Sequence, residues 1–401
     1  MQRAAGRSPA AQFCIHYRNL VPRVVDRYEK RVYTYIEQIF LFTADLREDT
    51  VMPEYFGKNY DKKDLLHYVG RMDSLAGVRS TMITEGFADG IRAKEVNAGL
   101  LKYTVMESRG MDILDMTYRG IPLNFLSKSG PKQRAHMDTR QPEFLRSITG
   151  GMLYTCGLTN VGNYYRDETG DDYFHGSMRM TPAENVCATA KWENGEYVLR
   201  VSGEMRQGGL FRENMVLRRE IVSKFGGKTV EIRNEVENEG DFAMPMMIML
   251  HVNLGFPILG GDMRLVIPSK RVVPMNERAE QDIDNWSIVT EPIVGETEQV
   301  FIHEMPDDLT EVHACGFSPS MNLGLGVKFR RDQFDKMLEW KSMGAGDYVC
   351  GIQPTNCYAA GRQYEIDHGT LPMIEAGEKK HFDITLEILE GEDEYRRFIE
   401  K

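Results

Sequence analysis

The chain has 401 residues, 42% hydrophobic and 27% charged, with a formal net charge of −11. This is globular composition with enough apolar material for a sizeable core, and an acidic balance with no long basic run argues against a nucleic-acid or anionic-membrane surface. Six scattered cysteines (Cys14, Cys156, Cys187, Cys315, Cys350, Cys357) form no CxxC pair, which fits free thiols in a reducing, cytoplasmic setting and speaks against a disulfide framework or a four-cysteine zinc site.

Residues 1–64 read as an N-terminal extension. Arg3, Arg7, Arg18 and Arg23 precede the first acidic residue, Asp26. No apolar signal core follows, so a surface extension is expected rather than a targeting segment. Val21 to Phe40 mixes apolar and charged residues at helical spacing, and Asp61 to Val69 (DKKDLLHYV) predicts a short helix with an acidic start. Beyond Gly70 short β-rich segments recur between Gly, Asn and Asp, the pattern of a sandwich. Asn194-Gly195 predicts a two-residue hairpin turn. A second hairpin pivots at Gly226-Gly227. No composition shift marks a linker, so residues 65–390 are expected to form one large β domain, with 391–401 a C-terminal tail. Gly324-Leu325-Gly326 is a lone GxG, expected to be a turn between strands. No phosphate-binding glycine loop and no GxSxG elbow occurs.

The longest apolar run is Phe242 to Leu259, FAMPMMIMLHVNLGFPIL. Two prolines, His251 and Asn253 interrupt it, which rules against a membrane helix. It predicts a strand buried on both faces that ends at a cavity. His251 and Asn253 are two positions apart and therefore share a face. A buried imidazole needs a partner or a task, so His251 is either a satisfied core histidine or a site residue.

The polar islands of the β domain, read together, bring a family into view. Phe174-His175-Gly176, the strand histidine His251 and Gly351-Ile352-Gln353-Pro354-Thr355-Asn356 follow in that order. With SLAGVRS, ESRGMDILDMTYRGIPLNFLS, GGMLYTCGLTNVG, FHGSMRMTPAEN, WKSMGAGDYVCGIQP and GTLPMIEAGE, they resemble the galactose mutarotase (aldose 1-epimerase) superfamily, and within it the DUF4432 family. The resemblance covers roughly Leu66 to Leu389. It implies an all-β, galactose mutarotase-like β-supersandwich with a sugar site in a cleft on one sheet.

Mutarotation opens and recloses a pyranose ring, with a base at the anomeric hydroxyl and an acid at the ring oxygen. By resemblance His251 is the acid and His175 assists or binds a hydroxyl. The superfamily's base is a C-terminal glutamate; Gln353 stands there, and an amide takes no proton at neutral pH. Asp347, six residues earlier and on the same face of a regular strand, is the expected replacement, with Gln353 a sugar ligand. Further substrate contacts are expected from Asn253, Asn160 and Asn356, and from Arg109, Arg179 and Lys341, which together would suit an acidic sugar. Arg109 could instead pair internally with Asp112. Trp192, Trp286 and Trp340 are candidates to stack on a sugar face. The expected function is a carbohydrate epimerase or mutarotase acting on a free or acidic monosaccharide without a cofactor. Two alternatives remain: a sugar-binding protein without turnover, and a metal-dependent aldose–ketose isomerase or epimerase in which His175 and His251, with Asp347 or Glu184, hold a divalent ion. The partner is a monosaccharide, and the sequence leaves a homodimer open.

Overall fold

A computed structural model describes residues 53–137, 143–167 and 170–401. Cys14 and the helix expected over Val21 to Phe40 lie outside these. The helix expected near Asp61 is present as Lys62–Tyr68; Asp61 caps it by accepting the Asp64 N–H at 2.7 Å. The regular structure after it is mostly antiparallel sheet. A five-stranded meander runs from Gly77–Met82 to Ile121–Pro122. A large sheet is built on the hairpins Glu184–Glu193, Glu196–Gly208, Asn214–Lys224 and Thr229–Asn238, then continues through Ile384–Glu390, Leu323–Arg330 and Glu311–Ser318. A six-stranded sheet orders Arg271–Pro274, Gln299–Glu304, Lys336–Gly344, Asp347–Thr355, Met247–Leu254 and Leu153–Leu158.

Both predicted hairpins form. Asn194 and Gly195 take φ of 46° and 85° between paired Glu193 and Glu196, the twist that a two-residue turn requires. Gly226 turns the second hairpin at φ 76°, and a Cβ there would sit 2.1 Å from the Glu54 carbonyl oxygen. The GxG at Gly324 and Gly326 is not a turn. Both glycines lie inside the strand Leu323–Arg330. They are needed for close approach: a Cβ on Gly326 would meet the Phe398 ring at 2.3 Å. Phe398 belongs to the helix Glu392–Ile399, which buries Tyr395 and Phe398 against Cys315, Phe317 and Leu389. The last residues are therefore a docked helix rather than a tail.

One cluster of buried side chains draws on all three sheets, including Leu101, Tyr103, Leu199, Leu217, Val327, Leu250 and Ile352. Alternation along Met247–Leu254 sorts its side chains. Ile248, Leu250, Val252 and Leu254 enter that core. Met247 and Met249 face the other way, into a smaller cluster with Tyr154, Cys156, Ile302 and Leu338. His251 and Asn253 have the same parity as these two, so pleating alone directs them to the second face. No helix among the described residues is long and apolar enough to cross a membrane.

Candidate functional site

The second face of the six-stranded sheet holds a cavity of about 170 Å³. Tyr154, His175, His251, Asn253, Gln353, Trp340 and Glu298 line it, with Phe144, Leu145 and Phe174 on the loop side. Strand register brings the polar residues together. His251 pairs across from Tyr154, Asn253 from Gly351, and Gly351 in turn from Trp340. Gly351 leaves the space in which the Gln353 amide lies, since a Cβ there would stand 2.3 Å from Gln353 Nε2. The Trp340 ring meets His251 edge-on at 5.4 Å, and its indole N–H donates to Glu298 Oε2 at 2.6 Å.

His175 reaches the cavity from a loop, held by backbone geometry. It takes φ 58° and Gly176 takes 72°; a Cβ on Gly176 would lie 2.2 Å from the Gly157 carbonyl oxygen. The His175 N–H donates to the Gly162 carbonyl at 2.9 Å, and its carbonyl accepts the Gly157 N–H at 3.0 Å. His175 Nδ1 accepts the Gly162 N–H at 3.1 Å, which fixes the neutral tautomer with its proton on Nε2. The Phe174 ring packs 4.3 Å from His175 and stacks on Phe144 at 3.9 Å.

Burial lowers both imidazoles. His251 is pulled down to about 3. His175 falls well below the ordinary histidine range, first by burial and then by the charges of His251 and Arg179. Both rings are neutral at pH 7. The cavity wall also carries buried polar atoms that have no hydrogen-bond partner among the described residues: Tyr154 Oη, His251 Nδ1, Asn253 Oδ1, and both Nε2 and Oε1 of Gln353. Gln353 is fully buried. Buried atoms of this kind are costly to leave unpaired, and their mixture of donors and acceptors suits a hydroxyl-rich ligand.

The expected site residues divide clearly. His175, His251, Asn253, Gln353 and Trp340 meet in the cavity. Asp347 does not: it is exposed at the far end of its strand, 2.6 Å from Lys128 Nζ. Six residues of strand span roughly 20 Å, so sharing a face with Gln353 leaves it far from that side chain. The carboxylate on the cavity is Glu298 instead. Lys341 lies on a separate cavity of about 290 Å³, its Nζ donating to the carbonyls of Asn285, Trp286 and Ile288. Asn160 and Asn356 are absorbed by backbone partners, Arg362 N and Tyr173 O for one, Ile248 N and Met246 O for the other. Arg109 does not pair with Asp112. It bonds Thr149 and the Arg179 carbonyl, while Asp112 pairs with Arg219 at 3.2 Å. Trp192 packs on Tyr197 and Trp286 on His303. Neither Asp347 nor exposed Glu184 joins the two histidines, and among the described residues no three His, Cys, Asp or Glu side chains are grouped to hold a metal ion.

Comparison with known proteins places the fold and the family. No protein of curated function matches the sequence. A candidate aldose 1-epimerase from Klebsiella pneumoniae has a similar structure, with 20% identity, a TM-score of 0.75 and coverage of 80% of this chain and 86% of that one. A galactose mutarotase-like protein from Clostridium acetobutylicum aligns at 13% identity and TM-score 0.53, covering 79% and 99%. A galactose 1-epimerase from Lactobacillus acidophilus aligns at 12% and 0.51, also covering 79% and 99%. At these identities the likeness establishes the galactose mutarotase-like fold. The model of the family described as "Domain of unknown function (DUF4432)" matches residues 88–388, most of the chain, and the protein therefore belongs to the DUF4432 family.

Proposed function

We propose that the protein is a mutarotase-type epimerase that opens and recloses the ring of one monosaccharide at the cavity of His251, Gln353 and Glu298. The observation that carries the reading is the set of unsatisfied buried atoms. His251 Nδ1, Asn253 Oδ1 and the whole Gln353 amide face one small space beside an indole ring. Sugar hydroxyls both donate and accept, and so complete such a set. An apolar cavity of about 150 Å³ admits benzene, so about 170 Å³ suits a single six-membered ring.

The roles follow from position. The Glu298 carboxylate, held by the Trp340 N–H, takes the proton of the anomeric hydroxyl. The C1–O5 bond breaks with its electron pair going to O5, and an imidazole N–H of His251 supplies the proton there. A neutral buried histidine acting as electrophile has precedent in other enzymes. Rotation about C1–C2 and the reverse transfers close the ring with the other anomer, so proton and electron counts return to their starting values. His175, with its proton on Nε2, donates to a hydroxyl, and Gln353 and Asn253 orient the ring. The structural likeness to a candidate aldose 1-epimerase and a galactose 1-epimerase supports this reading. The test follows freshly dissolved single anomers by polarimetry or NMR. Acceleration by the wild type, with a loss of roughly 10²- to 10⁴-fold in Glu298→Gln, is expected. Saturable sugar binding without any acceleration favours a binding protein instead.

A further inference from the structure

Arg179 is the buried group that the proposed reaction leaves unused. It is fully buried, and among the described residues Nε, Nη1 and Nη2 all lack a hydrogen-bond partner. Its Cζ lies over the Tyr154 ring, 6.0 Å from the centroid, and the Tyr154 hydroxyl is likewise unpartnered. Arg179 stands behind the cavity wall rather than among its lining residues: its charge acts on Tyr154, Cys156 and His175, and Tyr154 and His175 line the cavity. The surroundings do not balance it. Arg109, Arg179 and Arg219 are all buried here, and Asp112 is the buried carboxylate among them, committed to Arg219 at 3.2 Å. Arg109 at least has Thr149 and the Arg179 carbonyl as acceptors. Proteins rarely keep a guanidinium desolvated with all its donors idle, because removing a charge from water without a counter-charge is among the costliest arrangements available.

We infer that Arg179, with the Tyr154 hydroxyl, is the seat for a negatively charged group of the ligand, and that the ligand is an acidic monosaccharide whose charge is a carboxylate. This rests on the sugar reading above and narrows its substrate class. A guanidinium fork matches a carboxylate in a bidentate pair. The volume favours a carboxylate over a phosphate. Oxidising the terminal carbon of a hexose adds almost no bulk, whereas a phosphate ester adds several heavy atoms to a cavity of about 170 Å³. Without ligand the guanidinium has no solvent contact, so the anion is what brings its donors into use.

Calorimetric titration of the full-length protein compares D-glucuronate with D-glucose, D-galacturonate with D-galactose, and glucose 6-phosphate and inorganic phosphate as further arms. Wild type is expected to bind a hexuronate about 10- to 100-fold tighter than its neutral parent, the factor a charged hydrogen-bonding pair supplies. Arg179→Met is expected to lose that preference while the ligand-free variant melts no lower than wild type, since an idle buried charge has been removed; a purely structural arginine would lower the melting temperature. Arg179→Lys, which keeps the charge without the fork, retains part of the preference. Equal affinity for acidic and neutral sugars overturns the carboxylate seat and leaves the sugar reading standing. Preference for glucose 6-phosphate over the uronates overturns the carboxylate assignment. Protection by inorganic phosphate that depends on Arg179, with no sugar bound, supports an anion seat and overturns the sugar reading. No binding in any arm, with Arg179→Met melting well below wild type, overturns both.

Discussion

Replacing His251 by glutamine should change how stability depends on pH, in a direction set by the structure. In the unfolded chain the imidazole titrates near its ordinary value of 6.5; in the folded protein burial holds it at about 3. Above pH 6.5 the ring is neutral in both states and contributes no pH dependence. Below 6.5 the unfolded chain binds a proton that the folded protein refuses. Stability is therefore lost progressively as pH falls from 6.5 towards 3. Linkage sets the slope at about 1.4 kcal/mol per pH unit. Over the two units from 6.5 to 4.5 this amounts to about 2.7 kcal/mol, and solvent reaching the partly exposed ring reduces it to about 2 kcal/mol. His251→Gln removes the titrating group and keeps a polar side chain. His175 is present in both proteins, so the burial that is the first cause of its own acid sensitivity cancels, and only the smaller effect of His251 on it differs. The assay is urea unfolding of wild type and variant at pH 7.5, 6.0, 5.0 and 4.5. The stability difference should shift by about 2 kcal/mol in favour of the variant between the ends of the series. Parallel curves would show that His251 is not held neutral by burial and would remove the basis for treating it as a neutral donor.

Other consequences can be measured independently. Asp112→Asn should cost about 3–5 kcal/mol in denaturant unfolding, because Arg219, which bonds Asp112, Thr155, Asn234 and the Gly110 carbonyl, would keep its charge without a counter-ion. Gly176→Ala should lower stability by roughly 1–3 kcal/mol and weaken sugar binding, since the new methyl collides with the Gly157 carbonyl and displaces His175; calorimetry of both properties checks this. Gln353→Glu should not raise mutarotation, because the base sits at Glu298. It should destabilise the protein by about 3 kcal/mol at pH 7, the equivalent of a two-unit rise in a buried carboxyl pKa. Because that pKa is raised, the penalty shrinks as pH falls and the group protonates.

Much of the fold was legible because local rules carried it. The Asn194-Gly195 turn, the Asp61 cap and the parity of His251 with Asn253 each depend on residues close in sequence. The cavity was half legible, on a different footing: spacing put His251 and Asn253 on one face, and the rest was implied by resemblance. The resemblance to the mutarotase superfamily, rather than any local pattern, implied that His175, His251 and Gln353 meet in one cleft, whereas Tyr154 enters only through the pairing of Leu153–Leu158 with Met247–Leu254, a long-range register that no local pattern specifies. Glu298 gave no signal at all. It precedes the strand Gln299–Glu304 in an acidic stretch, and only the neighbouring Trp340 strand turns it towards the site. Asp347 shows the limit of reasoning from strand alternation, which fixes the face of a side chain but not its distance along the strand. Gly324 and Gly326 show another limit: the same two residues that mark a turn in many sequences here clear a path for the Phe398 ring in the middle of a sheet.

The central claim is that Glu298 and His251 open a sugar ring in this cavity, and anomer exchange measured by NMR on D-glucuronate and D-galacturonate at pH 7 tests it most directly. The account predicts that wild-type protein accelerates exchange between the α and β signals and that Glu298→Gln, still folded and still binding the sugar, reduces the enzyme-dependent rate roughly 10²- to 10⁴-fold. Exchange at the uncatalysed rate with saturating wild-type protein, or full acceleration by Glu298→Gln, would contradict it.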